Sequence, residues 1–219
     1  MTLDLDEALR YLGAGDKAPP ELREQVRQVA GDLTGRIRPR FTYRISPVVS
    51  TPEAVCLPAL GLTLPGRSAR LMLETCSQAA VLACTLGAEC DALLRSAQAR
   101  DMARAVILDA CASSYVEAGC DGAEEDISRH FPGKYRSDRF SPGYGDLPLS
   151  LQPAITAALD TPRRIGLYVT DSLMLSPSKS VTAIVGLSDQ PQMRRIRGCA
   201  YCSMRNTCTL RKGGKTCAP

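Results

Sequence analysis

The chain predicts an α+β fold, with helices packed around a mixed or antiparallel sheet. Three observations lead there. Helical periodicity comes first in the sequence, strand-like stretches are interspersed among the later helices, and the regular βα alternation of a doubly wound sheet is missing. The 219 residues suffice for one substantial core, or for one domain with a small appendage. The apolar share of 44% is ordinary for a globular protein. With three Phe, seven Tyr and no Trp, the core has to rest on Leu, Ile, Val, Ala and Met.

The elements follow in order. Residues 3–12 carry apolar side chains at Leu3, Leu5, Ala8, Leu9 and Leu12, which is helical spacing, and Gly13 and Gly15 end the run. Pro19 and Pro20 open a second amphipathic helix through about Leu33; Pro20 suits the first turn, where a missing N–H costs nothing. Residues 37–49 alternate loosely and read as extended, with Phe41, Tyr43 and Ile45 on one face. Residues 57–64 form a further strand-like stretch, and residues 79–85 a buried strand. Two helices follow, at residues 88–97 and 101–120, the second with Ala105, Leu108, Ala112 and Tyr115 at core-facing spacing. A short helix at residues 149–159 and strands at residues 165–170 and 180–187 complete the series.

Composition also excludes classes of function. No stretch approaches 18 uninterrupted apolar residues, so no membrane span is expected. Residues 1–12 are acidic and amphipathic and do not read as a secretory signal, which makes a cytoplasmic location the expectation. Six of the ten cysteines (Cys56, Cys76, Cys84, Cys90, Cys111 and Cys120) lie among Ala, Val and Leu and read as small core hydrophobes. The single histidine, His130, reads as a solvated or loop-packing residue rather than a base, and neither a Ser–His–Asp arrangement nor a phosphate loop is evident.

The stretch from 131 to 147 is long for a connection inside a compact domain, and such loops are usually functional. Within it, Phe140-Ser141-Pro142-Gly143-Tyr144-Gly145 is a chain of backbone restrictions. Pro142 fixes its own φ and drives Ser141 toward an extended conformation; Gly143 and Gly145 allow positive φ or close approach of a ligand. Arg139 offers a fixed charge on a planar donor fork, suited to a carboxylate. The alternative is a surface turn beside a solvated arginine.

This loop, together with Ile165–Leu187, resembles the activation (reactivation) domain of cobalamin-dependent methionine synthase. Three features carry the resemblance: the Arg139-x-x-Pro142-Gly143-Tyr144 loop, the Thr170-Asp171-Ser172 strand end, and the Ser180-Val181-Thr182 strand. The N-terminal part resembles short stand-alone homologues of that domain. The resemblance implies a domain over residues 1–190 that binds S-adenosylmethionine (AdoMet). It places Arg139 on the AdoMet carboxylate and backbone groups of Ser141 and Gly143 on the ligand, with Tyr144 lining the groove. It aligns Asp109 with an acid that attracts a cationic part of AdoMet; Asp109 could instead pair with Arg104 or Arg163. Thr170 and Asp171 would line the groove or pin the adjoining loop by hydrogen bonds.

The sequence departs from the family in two respects. The aromatic residues that follow the last strand in full-length synthases are replaced by polar and basic ones, and no homocysteine, folate or cobalamin module precedes the domain. The resemblance therefore implies an accessory acting in trans. It would support reductive methylation of cob(II)alamin on a separate methionine synthase or related corrinoid protein, drawing electrons from a donor such as ferredoxin or flavodoxin.

Residues 191–219 read as a separate tail. Cys199, Cys202, Cys208 and Cys217 bring four thiols into 19 residues, which in a reducing compartment points to a metal. Only one Cys-x2-Cys knuckle is present where structural zinc commonly uses two. The compact, uneven spacing suits an iron–sulfur cluster, such as [4Fe–4S], with zinc as the alternative. Seven basic residues and no acid lie between Gln190 and Pro219, and they would offset the charge of four thiolates around either metal. A zinc-tailed module that binds a corrinoid protein or nucleic acid, without AdoMet chemistry, is the competing reading.

Overall fold

A computed structural model describes residues 1–192. The four cysteines of the proposed metal tail lie outside the described residues. The chain folds as two compact units, each assembled from separated segments. Of the described residues, one comprises Met1–Thr42, Ala83–Ile127 and Asp160–Val181; the other comprises Tyr43–Leu82, Ser128–Leu159 and residues 182–192. Helices and antiparallel strands are mixed throughout, as the α+β prediction requires.

In the first unit, α1 (Leu5–Tyr11) begins at Asp4, whose carboxylate accepts from the N–H groups of Asp6 at 2.9 Å and Glu7 at 3.1 Å. That cap satisfies two of the four N–H groups that a helix start leaves without partners. Helix α2 (Pro20–Arg36) starts on the predicted proline and buries Val26, Val29, Ala30 and Leu33. Helix α4 (Ala88–Arg100) and the long α5 (Met102–His130) follow. Helix α5 runs ten residues beyond the expected end at Cys120. Gly119 and Gly122 look like stop signals, yet Ala123 and Ile127 continue the buried stripe at i+4 spacing. Ser114 donates to the Asp4 carbonyl at 2.8 Å and Tyr115 to the Ile37 carbonyl at 3.3 Å, fixing α5 to the N-terminal segment.

The predicted strand at 165–170 is shorter than expected. Residues Thr161–Ile165 form a helical turn, α7, with Pro162 near its start and Gly166 at φ 69° ending it. Only Tyr168–Val169 is extended; we label it β7, with its antiparallel partner Leu175–Ser176 as β8.

In the second unit, the strand expected over residues 57–64 is a hairpin: Ala54–Leu57 (β3) pairs antiparallel with Leu62–Pro65 (β4). Pro58 starts a 3-10 turn and Gly61 leaves it at φ 62°, so a continuous strand is not available there. Val49–Ser50 (β2) adds to the hairpin. A short helix that the sequence reading passed over, α3 (Arg67–Leu73), buries Ala69, Met72 and Leu73. Helix α6 (Gln152–Leu159) agrees with the prediction, and its Gln152 side chain accepts from Thr182 Oγ1 at 2.6 Å.

A four-stranded sheet has the order β1 (Arg40–Pro47), β5 (Gln78–Thr85), β9 (Ser180–Ser188), β6 (Tyr135–Arg136). The two central strands bury nearly every residue, hence their continuous apolar runs. The expected face of Phe41, Tyr43 and Ile45 on β1 is only half-buried, while Thr42 and Ser46 are buried. Ser46 is satisfied there because its Oγ donates to the Pro47 carbonyl and accepts the Ala59 N–H. Five of the six scattered cysteines are buried and Cys56 is half-buried, as core hydrophobes should be. Burial pushes the Cys90 and Cys111 thiols up to about 11, so both stay protonated at neutral pH. No helix among the described residues is long and apolar enough to cross a membrane.

Candidate functional site

The Arg139–Gly145 loop belongs to the second unit and is built onto β9. Ser137 N–H donates to the Gly186 carbonyl at 2.9 Å, and Gly186 N–H donates back to Ser137 Oγ at 2.8 Å. Three residues on, Phe140 and Ile184 exchange both backbone bonds, at 3.1 and 2.8 Å. Arg139 therefore sits between two fixed points on a buried strand and is itself half-buried. The close approach at Gly186 is required: a Cβ there would lie 2.4 Å from Cys76 Sγ and 2.9 Å from Leu73 Cδ2.

Beyond Phe140 the chain turns. Tyr144 N–H donates to the Ser141 carbonyl at 3.1 Å, Gly143 N–H to the Leu147 carbonyl at 2.8 Å, and Leu147 N–H to the Tyr144 carbonyl at 3.0 Å. At Ser141 and Gly143, whose backbone groups were expected to meet a ligand, the Ser141 carbonyl and the Gly143 N–H are thus used within the turn. Gly143 has φ 94° and Gly145 φ 56°, conformations that side-chain-bearing residues rarely adopt. Tyr144 projects outward and is 67% exposed. The loop thus carries a half-buried arginine and an exposed tyrosine on a hydrogen-bonded frame, residue types suited to binding and orienting a small molecule.

One residue of this loop was missed in the sequence. The Asp146 carboxylate accepts from Arg67 N–H at 2.6 Å and Ser68 N–H at 2.9 Å, capping α3. Its partners are 79 and 78 residues away, beyond the reach of any local pattern; the only sequence hint was an acid directly after Gly-Tyr-Gly.

The other predicted site residues, Asp109, Thr170 and Asp171, belong to the first unit. Asp109 pairs with Lys179, whose Nζ lies 2.8 Å from its Oδ1 and also donates to Ser113 Oγ at 2.9 Å. The two alternative partners are engaged elsewhere: Arg104 with Asp32 at 2.6 Å, and Arg163 with Asp160 at 3.9 Å. Asp109, Ser113 and Lys179 line a cavity of about 640 Å³, with Tyr11, Met102 and Val106 as its apolar wall. That volume falls within the roughly 300–1,000 Å³ typical of small-molecule sites.

Thr170 closes the β7–β8 hairpin. Its Oγ1 donates to the Met174 carbonyl, accepts the Met174 N–H at 3.1 Å and shares a hydrogen bond with Ser172 Oγ at 2.9 Å. Leu173 is thereby held at φ 65°, and Asp171 is exposed at the tip. His130, the exposed last residue of α5 rather than a loop residue, shares a 3.2 Å hydrogen bond with the Tyr43 hydroxyl. Among the described residues, no cluster of three or more His, Cys, Asp or Glu could hold a metal.

No protein-family model and no curated protein matches the sequence. A solved structure does: the crystal structure of the MetH reactivation domain bound to AdoHcy. It is similar to this chain with a TM-score of 0.66 at 15% identity, over 97% of this chain and 82% of that one. The chain has the fold of the MetH reactivation domain.

Proposed function

We propose that this protein is an AdoMet-binding accessory protein. It supports reductive methylation of cob(II)alamin held by a separate methionine synthase or related corrinoid protein. The observation that carries the reading is the Arg139–Gly145 loop, hydrogen-bonded to a buried strand within a fold shared with a domain that binds AdoHcy. Arg139 holds the ligand carboxylate through paired N–H donors, and the Tyr144 ring covers an apolar part of the ligand. The resemblance assigns Asp109 to a cationic group of the ligand; within its own unit Asp109 lines the 640 Å³ cavity, and Thr170 closes the hairpin that carries Asp171. When bound, AdoMet supplies the methyl group, and the chain contributes positioning.

The tail cysteines Cys199, Cys202, Cys208 and Cys217 would hold an iron–sulfur cluster, which would supply one-electron transfer from a ferredoxin- or flavodoxin-type donor. Four thiolates are the donor set such a cluster needs, and reactivation requires an electron as well as a methyl group.

Calorimetric titration of AdoMet into the full chain tests the reading. Binding by wild type and a loss of at least about tenfold in Arg139→Ala are expected, since removing a charge-assisted pair costs roughly 1.5–3 kcal/mol. No binding by wild type, or undiminished binding by Arg139→Ala, overturns it.

A further inference from the structure

The contact that fixes the loop from below is a carboxylate on a helix start. Asp146 spans the first two N–H groups of α3, at 2.6 and 2.9 Å, and the Ser68 hydroxyl also hydrogen-bonds to it. Two glycines make the contact possible. A Cβ on Gly66 would lie 2.6 Å from Asp146 Cγ, and a Cβ on Gly145 would lie 2.4 Å from Ser68 Oγ. Each glycine thus admits a side chain from the other segment: Gly66 the Asp146 carboxylate, and Gly145 the Ser68 hydroxyl. The geometry also dictates what the clamp controls. Asp146 is followed by Leu147, which is 1% exposed and carries both backbone bonds that close the turn on Gly143 and Tyr144. At its other end the loop is tied by Phe140 to Ile184. Between these ends lie Ser141–Gly145, where the turn conformation rests on the Leu147 bonds and on the carboxylate beneath them.

We propose that Asp146 is a positioning residue for the ligand loop: its grip on Arg67 and Ser68 sets the conformation that a ligand meets over Ser141–Gly145, Tyr144 included, beside the separately fixed Arg139. The inference rests on the reading of this loop as the AdoMet site. It assigns ligand affinity to a residue that acts through the backbone. An unclamped loop must be ordered at the moment of binding, and that entropy is subtracted from the affinity.

Two measurements on the full chain separate this inference from the reading beneath it. Amide hydrogen exchange at Gly143, Tyr144 and Leu147 reports the loop alone, and AdoMet titration well below the melting temperature reports binding. For Asp146→Asn we expect faster exchange at all three amides and about tenfold weaker AdoMet binding. Ser68→Ala removes one hydroxyl contact while leaving both backbone bonds. It covers the case in which Asp146→Asn does not fold, and smaller changes in the same direction are expected. A cap with only a structural role would lower the melting temperature and leave exchange at the loop and affinity unchanged; that result overturns the inference. If wild type does not bind AdoMet, the functional reading fails, and unaltered exchange in Asp146→Asn then overturns the clamp as well.

Discussion

At the residue scale, the glycines of this chain differ in what they cost to replace. Gly145→Ala puts a side chain at φ 56° and drives its Cβ against Ser68 Oγ. The left-handed conformation alone costs roughly 1–2 kcal/mol, and the Ser68 hydroxyl that must shift is hydrogen-bonded to Asp146. Gly13→Ala, at φ 76° in open space, has the conformational cost only. Urea unfolding should show Gly145→Ala the more destabilised of the two by about 1 kcal/mol or more. Asp146 itself makes a pH prediction. Burial alone would raise its carboxyl, but hydrogen bonds from the Ser68 hydroxyl and the Ser68 and Arg67 N–H groups outweigh burial, holding it below its ordinary 3.8. A carboxyl lowered on folding stabilises fully above its unfolded value and loses that contribution as pH falls through the folded value. The stability gap between wild type and Asp146→Asn should therefore be constant from pH 7 to about pH 5 and close below about pH 4. A gap that persists unchanged at pH 3 contradicts the cap. The loop itself was legible in the sequence because Pro142, Gly143 and Gly145 restrict the backbone locally. Asp146 was not, because its partners come from a distant segment.

At the element scale, α5 shows why the sign of a glycine substitution depends on what faces it. A Cβ on Gly119 would lie 2.6 Å from Cys84 Sγ and 2.7 Å from Pro39 Cβ. Overpacking of that kind costs about 1–3 kcal/mol, more than the roughly 1 kcal/mol gained in helix propensity. Gly31 on α2 meets nothing within 4 Å, so Gly31→Ala keeps the propensity gain. Thermal unfolding should therefore move in opposite directions for Gly119→Ala and Gly31→Ala; two shifts of the same sign would contradict the packing described. The same distinction explains what periodicity could reveal. Long stripes such as Val26, Val29, Ala30 and Leu33 are visible without a structure. Helix α3 has only seven residues and three buried side chains, too few to stand out, and the β7–β8 hairpin has two residues per strand. The extension of α5 past Cys120 adds only two further core positions, Ala123 and Ile127, too few to stand out as a stripe.

At the scale of the whole molecule, the fold class was legible from the order of elements, but the division into two units was not. Each unit is assembled from three separated segments, and no composition shift marks the crossings. The basic, cysteine-rich tail is marked by composition alone, and its function is open to a direct measurement. Protein purified anaerobically should be brown, with iron and sulfide near four per chain if a [4Fe–4S] cluster is held. Cys202→Ser should bleach it while leaving AdoMet binding intact. A colourless protein with stoichiometric zinc would remove electron transfer from the proposal. The clamp at Asp146 has a last consequence, for change over time. The shape of the loop is set by Gly66, Ser68, Gly145 and Asp146, whereas its chemistry is set by Arg139 and Tyr144. These two sets share no residue, so a lineage or a designer can replace the guanidinium or the phenol, and with it the molecule preferred, on a turn whose shape is inherited intact.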